Sequence, residues 1–199
     1  MTPSLVYRSA WVYESAMLAL YGRHYFSRYR VIADLIPREA TVLDVCCGPA
    51  RIYHRYLKRK GVRYYGLDIN QKFISTLVRA GAGGEAWDLR SDRELPAADY
   101  VVMQASLYHF LPDATAIVDR MLSTARKQVI IAEPIRNLSD SKMPFLSALA
   151  RRQTNPGIGE QSHRFTESTL DQFMSRYTSR LKRSFLIPGD REKVFVLGL

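Results

Sequence analysis

Between Thr41 and Ala132, short apolar runs alternate with stretches of helical spacing, and this alternation constrains the fold more than any other feature of the chain. Residues 41–45, 63–67, 85–87, 99–103 and 128–132 read as strands, while 51–60, 70–80 and 113–124 suit helices, with Asp113 as cap of the last. Parallel strands need a crossover to return the chain, so repetition of this kind predicts an α/β fold with a parallel sheet covered on both faces. A ligand of such a sheet sits beyond the carboxyl ends of its strands, near the switch point. Gly81-Ala82-Gly83-Gly84 is expected to separate the second helix from the third strand.

Upstream, apolar and aromatic residues recur at helical spacing over residues 4–36, among them Met17, Leu20, Tyr21, Tyr25, Tyr29, Ile32 and Ile36. Two helices broken near Gly22 are predicted, the second closed by Pro37. Residues 133–161 are rich in Pro, Ser, Asn and Gly, with a short helix expected over 144–153. Beyond them, 166–177 reads as a helix capped by Thr166, and 181–187 and 193–197 as a β-hairpin around Pro188-Gly189-Asp190.

A chain of 199 residues with an apolar fraction of 47% fits one domain around a sizeable core. Apolar stretches such as Val129-Ile130-Ile131-Ala132 fall far short of the roughly 20 residues that span a bilayer, so no transmembrane helix is expected. Arg8 and Glu14 interrupt the N-terminal apolar pattern, which lacks the layout of a signal peptide, and a cytoplasmic protein is expected. The two cysteines, Cys46 and Cys47, are adjacent and cannot supply a disulfide framework or a four-ligand zinc site, so no metal is expected. A net charge of +10 attracts anionic partners, nucleic acid or a membrane surface, without choosing between them. Its densest runs, at Arg55, Lys58, Arg59, Lys60 and Arg63 and at Arg176, Arg180, Lys182 and Arg183, read as solvated faces.

The most informative stretch is Val42-Leu43-Asp44-Val45-Cys46-Cys47-Gly48-Pro49-Ala50, a strand that ends in small residues where the backbone turns tightly beside a ligand. The positions of a G-x-G-x-x-G dinucleotide fingerprint are Cys46, Gly48 and Arg51, and an arginine at the third argues against a dehydrogenase. No G-x-x-x-x-G-K-[ST] loop for a nucleoside triphosphate occurs. Asp68, in Gly66-Leu67-Asp68-Ile69-Asn70, ends the second predicted strand, where a carboxylate grips ribose hydroxyls or caps the next helix.

With these landmarks in order, residues 41–134 resemble the class I S-adenosylmethionine (SAM) methyltransferases, in particular the small-molecule branch that contains the ubiquinone and menaquinone C-methyltransferases. The resemblance implies a Rossmann-like, doubly wound, seven-stranded sheet, mostly parallel with a C-terminal antiparallel hairpin, and an N-terminal helical lid. It divides a single domain into a lid (1–36), a cofactor-binding half (41–134), a substrate-covering segment (135–165) and a C-terminal helix and hairpin (166–199). SAM is the implied cofactor. The turn of Asp44, Cys46, Gly48 and Pro49 would face its methionine part and Asp68 its ribose, with Ile69 adjoining. Asp88 in Trp87-Asp88-Leu89 would meet the adenine amine with Leu89 beside the ring. The fourth-strand segment of the family resembles Met103-Gln104-Ala105-Ser106-Leu107-Tyr108-His109-Phe110-Leu111-Pro112, which adds Gln104 and Ser106 to the cofactor set. The fifth strand resembles Ile130-Ile131-Ala132-Glu133-Pro134. Two departures stand out: Cys46 and Ala50 replace the usual first and third glycines, and Ala125-Arg126-Lys127-Gln128 replaces a Pro-Gly-Gly turn.

The sulfonium of such a cofactor makes its methyl electrophilic, so the enzyme must chiefly align a nucleophile and remove a proton where necessary. His109 suits that base, since imidazole titrates near neutrality, or it packs under the cofactor. Tyr108 has the same two readings. Glu133 either binds substrate and steadies a developing charge or holds the loop that follows it. Arg164 offers a guanidinium fork for an anion, unless His163-Arg164-Phe165-Thr166 is simply a capping turn with Phe165 as staple. The aromatic N-terminal segment and residues 135–161 suggest a covered, small-molecule or lipid-like acceptor, and the positive charge either holds the protein near anionic headgroups or merely keeps it soluble. An RNA or tRNA acceptor is disfavoured: no Asn/Asp-Pro-Pro-aromatic run follows the fourth strand, and both cysteines lie in the cofactor turn. A non-catalytic module on the same fold is the other alternative. These residues leave open whether carbon, nitrogen or oxygen is methylated, and the oligomeric state.

Overall fold

A computed structural model describes Leu18, residues 22–136 and residues 164–199; the helices expected before Gly22 and over 144–153 lie outside the described residues. Seven strands, β1 (Thr41–Val45), β2 (Arg63–Asp68), β3 (Gly83–Ala86), β4 (Ala98–Gln104), β5 (Ala125–Pro134), β6 (Leu181–Leu186) and β7 (Glu192–Gly198), form one sheet in the order β3-β2-β1-β4-β5-β7-β6. The pairs β1–β2, β1–β4, β2–β3 and β4–β5 are parallel, whereas β7 runs antiparallel to β5 and closes the β6–β7 hairpin. This is the seven-stranded Rossmann-like sheet the alternation and the resemblance predict. The strand order reverses between β1 and β4, which opens a crevice at their carboxyl ends.

Side-chain alternation along each strand sorts the apolar residues into two cores. Leu43, Val45, Val101, Met103, Val129, Ile131, Phe195 and Leu197 enter one, with Val118 and Met121 of α3 (Ala114–Thr124) and Leu170 and Phe173 of α4 (Glu167–Met174). Val42, Tyr100, Val102, Ile130, Val194 and Val196 enter the other, with Tyr29, Ile32 and Ala33 of α1 (Ser27–Asp34) and Ile74 and Leu77 of α2 (Gln71–Arg79). Truncating one of these fully buried side chains, Met121 for example, costs about 2–5 kcal/mol through lost burial and a residual cavity.

Several boundaries differ from the sequence expectation, for physical reasons. Gly83 and Gly84 do not separate α2 from the third strand; they begin β3. A Cβ on Gly84 would stand 2.9 Å from the carbonyl oxygen of Gly66, its partner in the ladder, so glycine is what lets these strands lie flat beneath Leu77. Ala125-Arg126-Lys127 is strand rather than turn, because β5 extends back past a bulge to pair Ala125 with Ala98. Asp113 precedes α3 without a side-chain capping bond, whereas Asn70 caps α2 and Thr166 forms a reciprocal capping box with Thr169 on α4. α4 ends at Met174 and continues as a 3₁₀ segment with a kink at Tyr177, whose hydroxyl donates to Asp119.

The stretch 51–60 is helical but irregular, with a π segment (Tyr53–Leu57) running into a 3₁₀ turn (Lys58–Lys60) that stops at left-handed Gly61. Its lysines are not merely solvated. Lys60 Nζ donates to the carbonyls of Ala33 and Ile36 at 2.6 and 2.8 Å, and Lys58 Nζ to that of Ala80 at 3.1 Å, so they cap the ends of α1 and α2. Among the described residues no helix is long and apolar enough to cross a membrane, and no cluster of three or more His, Cys, Asp or Glu could hold a metal ion.

Candidate active site

The crevice beyond β1, β2 and β4 is a cleft of about 1170 Å³, its open mouth included. Asp44, Cys46, Gly48, Pro49, Asp68, Ile69, Asp88, Leu89, Gln104, Ser106 and His109 all line it, drawn together from the ends of β1, β2, β3 and β4.

The turn after β1 is built on alternate left-handed residues, Cys46 (φ 57°), Gly48 (φ 53°) and Ala50 (φ 49°). Left-handed geometry costs a residue with a Cβ roughly 1–2 kcal/mol, so Gly48 adopts it freely while Cys46 and Ala50 hold it at that cost. A Cβ added to Gly48 would meet no protein atom within 4 Å; it would project into open space beside the turn. That cradle, kept clear by the glycine, fits a ligand whose atoms approach the backbone closely. The turn is fastened to β2 by Cys47 N donating to Leu67 O at 2.9 Å.

Asp68 completes the cradle. Its Oδ2 accepts the Gly48 N–H and its Oδ1 the Asn70 N–H, both at 2.8 Å, and a carboxylate with about four lone-pair sites keeps capacity for ligand hydroxyls. Burial pushes its pKa up while the two N–H bonds hold it down. Ile69 beside it is 52% exposed, an apolar side chain at the cleft edge. Asp88 is exposed and accepts the Arg90 N–H at 2.9 Å, with Leu89 buried next to it. Asp44 is buried and accepts a hydrogen bond from the Tyr64 hydroxyl, whose ring stacks on Tyr53; burial, partly offset by that bond, lifts its pKa to about 7. Burial next to Asp68 and Asp44 also raises the thiol pKa values of Cys46 and Cys47, keeping both protonated.

At the end of β4 the chain turns through Ala105 (φ 55°) into a 3₁₀ turn, Leu107–Phe110, which brings His109 to the cleft. Glu133 lies behind this turn with no exposed surface. Its carboxyl accepts the N–H groups of Ser106, Leu107 and Tyr108 at 3.1, 3.0 and 3.4 Å, so it holds the turn after β4 rather than the loop that follows it in the chain. Burial raises it to about 8 against those three bonds. Tyr108 is not among the residues lining the cleft; its ring lies 4.0 Å from that of His109 and under the guanidinium of Arg164, 4.4 Å away. Arg164 thus sits over an aromatic face, while Phe165 packs in the core with its ring against that of Phe173.

Sequence reasoning missed Arg28, Arg51 and Arg90, which also line the cleft. Arg28 carried a readable signal, a charge on the apolar face of Tyr25, Tyr29 and Ile32. It is 1% exposed and ion-paired with buried Glu192 at the start of β7, and Gln104 Nε2 donates to the same carboxyl at 3.2 Å. Arg90 gave no signal, since its partner belongs to a distant turn.

A seven-stranded sheet of this order, with an acidic residue ending β2 beside a left-handed turn after β1, defines a Rossmann-like protein built to hold a nucleoside-bearing ligand. The family follows from comparison with known proteins: residues 18–177 match the model of the methyltransferase domain, and the chain belongs to that family. No curated protein matches the chain by sequence. Its fold is similar to that of the magnesium protoporphyrin IX methyltransferase of Synechocystis solved with bound SAH, at 14% identity over 92% of this chain and 93% of that one, TM-score 0.63. A TehB-like SAM-dependent methyltransferase of Corynebacterium glutamicum is similar at 20% identity over 94% and 95%, TM-score 0.60. A SAM-dependent methyltransferase of Aquifex aeolicus is similar at 14% identity over 92% and 97%, TM-score 0.60.

Proposed function

We propose that the protein is an enzyme that transfers a methyl group from SAM to a small or lipid-like acceptor, in the manner of the small-molecule branch to which the quinone C-methyltransferases belong. The observation that carries this reading is convergence: Gly48, Asp68 and Asp88, from three different strand ends, face one cleft together with His109. When bound, the cofactor supplies an electrophilic methyl on its sulfonium. The chain does the rest. Asp68 takes the ribose hydroxyls, Asp88 the purine amine, Ile69 and Leu89 flank the base, and the turn of Cys46 to Pro49, with Asp44, Gln104 and Ser106, holds the methionine part. His109 removes the acceptor's proton or orients the acceptor, and the Tyr108 ring lies tilted against it.

A small acceptor is favoured because Arg28 and Tyr29 of α1 wall the cleft, which narrows it around a compact substrate. Calorimetry with S-adenosylhomocysteine (SAH) tests the cofactor half. Asp68→Ala is expected to weaken binding by about 1–3 kcal/mol through lost charge-assisted bonds, and no heat with the wild-type protein would remove the reading. The acceptor half is tested by methyl transfer to quinone and lipid extracts against bulk tRNA and rRNA; preference for RNA would overturn it.

A further inference from the structure

The loop that follows β3 is held by three arginines, and they differ in what they join. Arg120 of α3 donates to the carbonyls of Leu89 and Arg93 at 2.6 and 2.7 Å, fastening the back of the loop to the helix beneath it. Arg93 lies 3.8 Å over the Trp87 ring and pairs with Glu85, which keeps it on its own side. Arg90 crosses over. Its backbone N–H bonds the Asp88 carboxylate at 2.9 Å, while its Nη2 donates to the carbonyl of His109 at 2.8 Å and its Cζ stands 5.1 Å from the Phe110 ring. The turn Leu107–Phe110 is thus tied at its start to Glu133, through three backbone bonds, and at its end to Arg90.

We propose that Arg90 is a positioning residue that couples the purine end of the cleft to His109, so that a nucleoside gripped at Asp88 shifts the turn carrying the imidazole. This rests on the cofactor reading above. Asp88 and Arg90 form one unit through the Asx-type bond, and a donor that engages the Asp88 carboxylate moves that unit. The guanidinium passes the displacement on because its planar fork donates to a carbonyl and lies along an aromatic ring at once, which the point charge of a lysine cannot do.

The test uses the full chain with ¹³C-labelled histidine, the His109 signal assigned by His109→Gln, and adenosine as a probe that reaches the purine end without a methionine part. Saturating adenosine is expected to shift the His109 signal in the wild-type protein. In Arg90→Ala and Arg90→Lys, affinity should fall roughly three- to tenfold, and the His109 signal at saturation should stay near its ligand-free position. Arg120→Ala, which loosens the same loop without touching the turn, should weaken adenosine but keep the shift. A wild-type-sized shift in saturated Arg90→Ala overturns the coupling, as does its loss in Arg120→Ala. Absence of SAH and adenosine binding by the wild-type protein overturns the cofactor reading instead, and this one with it.

Discussion

Asp44 and Glu133 lie at or near the ends of their strands as buried carboxyls whose pKa values burial lifts to about 7 and about 8, from ordinary values of 3.8 and 4.5. Each binds its proton more tightly in the folded state, so its contribution is complete below the ordinary value and is lost as pH climbs through the raised one. The loss should approach about 1.4 kcal/mol per pH unit for each group, for Asp44 between its ordinary value and about 7 and for Glu133 between its ordinary value and about 8. Urea midpoints measured across those ranges should therefore fall for the wild-type protein and fall less steeply for Glu133→Gln. Parallel profiles would mean that Glu133 titrates alike in both states. At this scale the sequence named groups at the ends of β1, β2 and β4 that line one cleft, because strand-end acids and a small-residue turn are local signals. It left both readings of Glu133 open, since the three N–H groups around its carboxyl come from residues 106–108, brought there only by the pairing of β4 with β5.

Among the elements, each of the seven strands overlaps a stretch read as strand in the sequence, and the errors lay at the edges, where partners decide. The Gly66–Gly84 ladder pair is an example: glycine looks like a separator in a single chain, but here it admits Leu77 and Ile74 of α2 against β2 and β3. Gly84→Ala should cost about 1–3 kcal/mol by overpacking, because the nearest obstacle at 2.9 Å is a backbone carbonyl that cannot rotate away. Chemical denaturation would measure it, and a neutral substitution would mean that β3 lies farther from β2 than the ladder places it. The basic stretch Lys58–Lys60 illustrates the same limit, since the carbonyls it caps belong to helices on either side of it in the chain.

Across the whole molecule, Arg28 and Glu192 bring the N-terminal helix onto the last strand in a fully buried pair. Arg28→Ala should destabilise by about 3–5 kcal/mol by leaving Glu192 buried without its cation, whereas Arg28→Met combined with Glu192→Leu should recover most of that loss; equilibrium unfolding of both variants checks it. The same packing sets where an N-terminal deletion can stop. A cut at residue 30 would remove Tyr25, Arg28 and Tyr29, all buried, and undermine the second core. Removal of residues 1–21 spares them and should leave SAH affinity within about threefold while abolishing methyl transfer, if that segment covers the acceptor. Retained turnover would rule that role out.

By itself the sequence determined the alternating α/β architecture, the antiparallel ending and the tight small-residue turn after β1, because these follow from local periodicity and from residues adjacent in the chain. The tertiary structure alone decided that Arg28 belongs to the cleft, that Glu133 supports a turn, and that Arg90 meets His109. Each of those depends on a donor and an acceptor from different elements, and only the packing of the sheet brings them within hydrogen-bonding distance.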